Sequence, residues 1–309
     1  MEFKKYLLSE ISDYKTGRLN SNAAIENGKY KFFTCAPNPL TINSYSYDDD
    51  VILLAGNNAN GIFHINRFNG KFDAYQRTYI IKPKFDVIDI DYLYYYLKFK
   101  LNFLRSQSIG SATKYLTKPI LDNLEIYSPK SKRKETIISS ILKILDKKIE
   151  LNKRIIANLE ELSQTLFKRW FVDFEFPDEN GNPYKSSGGE MIDSELGEIP
   201  SGWKVDELGN YIKIKSGKRP KNKVDKKDIE NVVPIIGASK IMGYTNDYLY
   251  NEKIIIIGRV GTHGVIQRFS TRTWPSDNTF VIISDFESII YQVLKSIDYI
   301  SLGLGTLSS

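Results

Sequence analysis

The sequence predicts an α+β protein, two strand-rich domains joined by one long coiled-coil helix. Three observations carry that reading. Lys132 to Phe171 runs for roughly 40 residues without Gly or Pro and keeps a helical beat. The segments on either side repeat in order, Leu8 to Arg18 being echoed by Leu208 to Lys218, 200 residues further on. Short apolar, β-branched runs bounded by Gly, Asn and Asp recur in both flanks, as sheet strands do.

In chain order, Leu7, Leu8 and Ile11 form a short amphipathic opening, followed by the turn Lys15-Thr16-Gly17-Arg18. Lys31–Thr34 is a strand. Asp48-Asp49-Asp50 leads into Val51–Gly56, whose length and branching predict a buried strand, and Gly61–Ile65 is its hairpin partner across the polar loop Asn57–Gly61. Tyr75–Ile81 is a further strand. Asp91–Arg105 has helical periodicity, with Asp91 placed to favour the macrodipole. A Gly/Ser/Thr loop (Ser106–Thr113) and a strand at Leu124–Tyr127 then lead to the long helix.

The helix carries a heptad seam. Ile138, Leu142, Leu145, Ile149, Asn152, Ile156, Leu159, Ser163 and Leu166 are spaced by alternating fours and threes, flanked by Lys147, Lys148, Glu150, Lys153, Arg154, Glu160 and Glu161. At 1.5 Å per residue such a helix is about 60 Å long, so its stripe calls for a partner helix. Beyond it, Pro177–Gly202 is rich in turn formers and reads as a linker or hairpin arm.

The repeat resumes at Trp203. Ile254–Gly258 with Gly264-Val265-Ile266 echoes Ile52–Gly56 with Gly61-Ile62-Phe63. Thr279–Ile283 echoes Thr78–Ile81, Leu294-Lys295 echoes Leu97-Lys98, and Ser301–Thr306 loosely matches Ser106–Ser111. The expected organisation is residues 1–130, first domain; 131–175, helix; 176–202, linker; and 203–309, second domain. The second copy reaches Ser309 before its last strand and helix are repeated, so it is expected to be incomplete and the first helix to lack its counterpart.

Composition narrows the function. The 309 residues have room for two cores, and 41% apolar with 26% charged content is ordinary for a soluble chain. No apolar run of about 18 residues predicts a membrane span, and the amino-terminal stretch lacks a signal-peptide core. Cys35 is the single cysteine, which suits a reducing cytoplasm; with only His64 and His263 beside it, no zinc site is expected. A net charge of +6 invites an anionic partner. The 20 Tyr and 16 Phe serve β-rich cores before they serve base contact.

Several lookalikes fall away. Gly258–Gly264 has GxxGxxG spacing and leads into a strand, unlike a dinucleotide turn. Ser216-Gly217-Lys218 lacks the upstream Gly and following Ser/Thr of a phosphate loop, and Asn182-Pro183-Tyr184 lacks one Pro of an amino-methyltransferase motif. No Ser/His/Asp or carboxylate-plus-Lys nuclease constellation is present, so no catalysis is expected of the chain.

The residues that recur, together with Ser108–Thr113 leading to Leu116-Thr117-Lys118, Leu159–Leu162, Leu166–Phe174 and Ser194–Trp203, resemble the specificity subunit of type I restriction–modification systems over essentially the whole chain. The resemblance implies a non-catalytic subunit with two target recognition domains, each contacting one half of a bipartite double-stranded DNA sequence. It implies a spacer helix paired with a second one and docked by methylation subunits, with restriction subunits joining through the complex. S-adenosylmethionine, ATP and Mg are then expected on those partners and no cofactor here. The departure is the early stop. Its alternative reading is a truncated, dimerising or structural fragment that pairs with another copy through the helix and has lost one reader.

DNA readers need cations for phosphates and planar or amide groups for base edges. In the first domain Lys15, Arg18, Asn57, Asn58, Asn60, Arg67, Lys71, Arg77, Lys114 and Lys118 fall in predicted loops or strand ends. In the second, Lys213, Lys215, Lys218, Arg219 and Lys221 crowd one turn region, followed by Arg259, His263, Arg268 and Arg272. A solvated basic face is the alternative for any one of them.

Overall fold

The computed structural model describes residues 2–298 apart from 60, 85 and 260–263, so Asn60, His263 and the Ser301–Thr306 echo lie outside the described residues. The chain divides into two compact units, Met1–Arg154 and Ile155–Ser309.

In the first unit β1 (Phe3–Leu7) leads into a single helical turn, α1 (Leu8–Ile11), whose Leu8 and Ile11 are fully buried. The main sheet takes β2 (Ser12–Thr16), β3 (Tyr30–Phe33), β4 (Leu40–Ile42), β5 (Tyr47–Ala55), β7 (Ile65–Ala74) and β8 (Thr78–Pro83) in the order β2-β8-β5-β7-β3-β4. A two-residue β6 (Asn57–Asn58) pairs with β9 (Lys114–Tyr115). Central β5 is covered on both faces, which is why its sequence is a continuous apolar run. Ile52 and Leu54 face a core shared with α2 (Ile90–Gln107), through Leu93, Leu97 and Leu104. Val51 and Leu53 face Phe33, Phe72 and Ile80. The Asp89 carboxylate caps α2 by accepting from the Tyr92 amide at 2.8 Å.

Two boundaries differ from the sequence reading. β7 begins at Ile65 and continues to Ala74, well past the predicted Gly61–Ile65 strand; its Asn69-Gly70 resembles turn punctuation, but Gly70, with φ 126°, lies inside the strand. β8 begins at Thr78 rather than Tyr75, because Tyr75–Arg77 form the tight connection between the two strands. A short α3 (Lys118–Asp122) precedes β10 (Glu125–Pro129), which returns to pair with β1.

The long helix, α4, spans Lys132–Phe167 and ends in a π-helical turn, Lys168–Val172. Its start is tied down. Glu135, 3% exposed, accepts from the Ser128 hydroxyl and, at 2.9 Å, from the Asp89 amide. Further along, Lys143 reaches the Asp91 carboxylate at 2.9 Å.

In the second unit β13 (Lys213–Ser216), β16 (Ile254–Gly258), β17 (Ile266–Phe269) and β19 (Thr279–Ile283) form a sheet ordered β13-β19-β16-β17, the order of β2-β8-β5-β7. A smaller sheet holds β14 (Val233–Ile236), β15 (Ile241–Thr245) and β18 (Trp274–Pro275), and α5 (Glu287–Ser296) packs Ile290 and Leu294 onto Ile255 and Ile282. Register corrects the sequence match. Ile257 pairs with Ile266 as Leu54 pairs with Ile65, so Gly258 corresponds to Ala55 and Arg259 to Gly56, one residue away from the apparent Gly-to-Gly alignment. The match of Thr279 with Thr78 holds, each opposite the last residue of the central strand.

Residues 176–202, predicted as a linker or hairpin arm, are folded. β11 (Met191–Ser194) and β12 (Gly197–Pro200) form a hairpin, and Phe176 stacks between Tyr184 and Trp203, with centroids at 4.6 and 5.5 Å. Phe171 and Phe174 close on the same indole.

Candidate nucleic-acid interface

One corner of the sheet is built alike in both units. In the first, the Gly17 amide donates to the Thr78 carbonyl at 3.1 Å, Arg18 to Ala74 at 3.2 Å, Thr78 to Tyr75 at 2.8 Å and Gly56 to Arg77 at 2.7 Å. In the second, Gly217 donates to Thr279 at 3.0 Å, Lys218 to Pro275 at 3.0 Å, Thr279 to Ser276 at 3.1 Å and Arg259 to Asn278 at 2.8 Å. The glycine is obligatory: a Cβ on Gly17 would lie 2.0 Å from the Ala74 carbonyl oxygen, and one on Gly217 2.1 Å from that of Ser276. The Gly-Arg and Gly-Lys echo in the sequence is therefore a packing requirement, and it fixes where the following cation emerges.

Around this corner the first unit gathers Arg18, Asn57, Arg77 and Lys114. Arg18 and Arg77 are exposed. The Arg77 guanidinium lies 5.7 Å from the Tyr115 ring centre. Asn57 accepts a hydrogen bond from the Cys35 thiol at 2.9 Å and pairs with Tyr115, while Asn58 pairs with Lys114. A cleft of about 380 Å³ opens here, lined by Gln76, Arg77, Tyr115 and Thr117 among others. Elsewhere, Lys15 sits over the Tyr47 ring, Lys71 over Tyr45, and Lys118 pairs with Asp122 at 2.9 Å.

Arg67 and Arg268 hold corresponding sheet positions, and both are engaged within their own domains. Arg67 bonds Asp50 and, at 3.0 Å, Asp91 at the start of α2. Arg268 makes a two-pronged contact with Glu287 at the start of α5, both nitrogens 2.7 Å from an oxygen. Each ties a helix to its sheet, and each carboxylate suits the positive end of that helix. Burial alone would raise the Asp91 pKa, but hydrogen bonding and charge from Lys143 and Arg67 outweigh it and hold the carboxyl below its ordinary value.

In the second unit Lys213, Lys215, Lys218, Arg219 and Lys221 are all exposed, as the clustered charge predicts, and Arg219 stands 3.8 Å from Asp277. Arg259 lies 5.7 Å from the Phe280 ring centre and Arg272 4.9 Å from that of Tyr248. Sequence reasoning missed Gln76, Tyr115, Asp277 and Asn278 at the two corners; the signal was the strand register, which sets Tyr115 opposite Asn57 and Asn278 against the Arg259 amide only once each sheet is paired.

The α4 seam divides. Ile138 packs on the first core, and Leu142, Leu145 and Ile149 line a groove of about 560 Å³ with Tyr92, Tyr95, Tyr96 and Phe99 of α2. Further along, Ile156, Leu159 and Ser163 line a second groove with Ile266 and Tyr291, where Gln292 donates to Ser163 at 2.8 Å. Asn152 and Leu166 stay exposed. A second apolar row, Ile137, Ile141, Ile144, Leu151, Ile155 and Leu162, is exposed, Ile144 by 64%. It runs along the helix about 100° from the first row, at the angle one residue step turns. No described helix is long and apolar enough to cross a membrane.

Two copies of one sheet, each with an exposed basic corner, in a chain with one long helix between them, define a tandem β-domain protein with a helical connector. The chain belongs to the type I restriction–modification DNA specificity family: the sequence model described as "Type I restriction modification DNA specificity domain" matches residues 1–161 and 200–306. Similar proteins include the Escherichia coli type I restriction enzyme EcoDI specificity subunit, 34% identical over 218 residues, covering 66% of this chain and 47% of that protein. The Methanocaldococcus jannaschii MjaIX specificity subunit is 32% identical over 201 residues, covering 59% and 44%. The chain thus spans about half the length of the curated relatives it matches. The type I S subunit structure from M. genitalium shares the fold, with a TM-score of 0.62 at 17% identity, covering 98% of this chain and 78% of that one. Because the family match extends over both domains, a fragment that has lost one reader is not the favoured reading.

Proposed function

We propose that this chain is the DNA-recognition part of a type I restriction–modification complex, reading a bipartite duplex sequence with one half-site per domain. The observation that carries the reading is the family match over both domains, each with the same glycine-fixed basic corner. The chain acts without catalysis of its own, in the cytoplasm. S-adenosylmethionine, ATP and Mg reside on the methylation and restriction subunits. The exposed apolar row of α4 is the surface offered to the methylation subunits, and to another copy or fragment of the chain.

The test is the methylated motif in DNA from cells carrying the protein with its methylation subunits, read beside binding in vitro. Two separated half-sites, with affinity falling steeply as salt rises, are the expected result. Equal affinity for target and random duplex at physiological salt, with the methylation subunits present, overturns the proposal.

A further inference from the structure

A protein that reads two different half-sites with two copies of one domain has two kinds of surface residue to place. Phosphates are alike in every sequence, so groups that grip them can be shared between the copies. Bases differ, so groups that read them must change while the backbone carrying them stays put. The corner described above meets both conditions. Its four backbone hydrogen bonds recur in the second unit to within 0.3 Å, and the corresponding pair of carbonyls, Ala74 and Tyr75 or Pro275 and Ser276, leaves no room for a Cβ at the glycine. The residue after that glycine is a cation in both, Arg18 or Lys218. Just beside it the chemistry diverges: Gln76-Arg77 in one copy is Asp277-Asn278 in the other, all exposed.

One feature recurs in kind without recurring in position. Each corner presents one arginine against an aromatic ring. In the first unit it is Arg77, entering β8, on Tyr115; in the second it is Arg259, leaving β16, on Phe280. The two come from opposite sides of the same backbone hydrogen bond, Gly56 to Arg77 and Arg259 to Asn278. Among the described residues neither guanidinium has a carboxylate partner, in contrast to Arg67 and Arg268. A guanidinium resting against a ring, each here 5.7 Å from the ring centre, keeps its planar fork of donors available. That fork matches the two acceptors, O6 and N7, on the major-groove edge of guanine.

We propose that this corner is the base-reading edge of each domain, with Arg77 and Arg259 each reading a guanine in its own half-site and Arg18 and Lys218 gripping the adjacent phosphates. The proposal rests on the DNA-specificity reading above. By the same logic Lys71 on Tyr45 and Arg272 on Tyr248, matched both in position and in kind, contact what the half-sites share.

The experiment uses the protein complexed with its methylation subunits, and duplexes carrying the motif or single base-pair changes in it. Arg77→Ala is expected to relax one guanine position of the first half-site, reducing discrimination there roughly 5- to 150-fold and leaving the second half-site as it was. Arg259→Ala should do the converse. Arg77→Lys, which keeps the charge and loses the fork, should lose discrimination while holding affinity for non-specific duplex. Arg18→Ala, Lys218→Ala, Lys71→Ala and Arg272→Ala should weaken all duplexes alike and reduce the salt dependence. If both arginine-to-alanine variants keep full discrimination at every position, or weaken all duplexes uniformly, the corner is not the reading edge. If the unaltered complex does not discriminate at all, the DNA-specificity reading itself falls.

Discussion

Arg67 and Arg268 show how a cation on a domain proposed to read DNA can be committed elsewhere, here to a helix start of its own domain. Glu287 is only 5% exposed, so truncating Arg268 leaves a buried carboxylate short of its partner. Arg268→Ala is therefore expected to destabilise the second domain by about 2 kcal/mol, measured by urea unfolding. Asp91 gives a matching prediction in pH. Its folded-state pKa is depressed, so its contribution is fully present above the unfolded carboxylate value and is lost as pH falls through the lower folded value. The stability difference between the parent and Asp91→Asn should hold down to about pH 4 and fade below it. A difference unchanged between pH 7 and about 3 would show that the contacts of Asp91 with Lys143 and Arg67 carry no net stability.

Elements were legible to different depths, for physical reasons. The buried strand at Val51–Ala55 and the helix at 91–105 stand out because burial on two faces, or on one stripe, writes itself into hydrophobic period. β7 is harder, since half of its residues are polar and one partner of its Arg67 is Asp91, on another element. At 171–203 the turn formers pointed to a linker or a hairpin arm, and a hairpin is present, but they hid the aromatic stack beside it, in which Trp203 meets Phe171, Phe174 and Phe176. At the interface, sequence pointed to the cations but could not separate the tethered from the free, because the partners become visible only in three dimensions. The α4 seam had the same difficulty. Its predicted row is partly used by the domains themselves, and the adjoining row is the more exposed one. Ile141→Glu with Ile144→Glu should thus leave the melting temperature of the isolated chain unchanged and abolish co-purification of methylation subunits. Both side chains are already more than half exposed, so little burial is lost within the chain. Retained subunits would place docking on another surface.

At the scale of the whole molecule, the element common to both compact units is α4, whose residues pass from the first to the second at Arg154 and Ile155. A continuous helix transmits length and rotation together: each inserted residue adds about 1.5 Å and about 100° of turn. An insertion of one heptad between Arg154 and Ile155 adds roughly 10 Å while nearly restoring the original rotation, whereas two extra residues add about 3 Å but rotate one end of the helix by about 200°. If the domains read half-sites held at a distance set by this helix, the two insertions have different outcomes. The heptad variant should methylate a motif with the same two half-sites separated by about three more base pairs, since successive pairs rise about 3.4 Å. The two-residue variant should lose methylation of both the original and the lengthened motif, because it turns one end of the helix by about 200° relative to the other. Sequencing of methylated DNA from cells expressing each variant distinguishes these results. An unchanged spacer in the heptad variant would mean that the distance between half-sites is set by the partner subunits rather than by the helix of this chain.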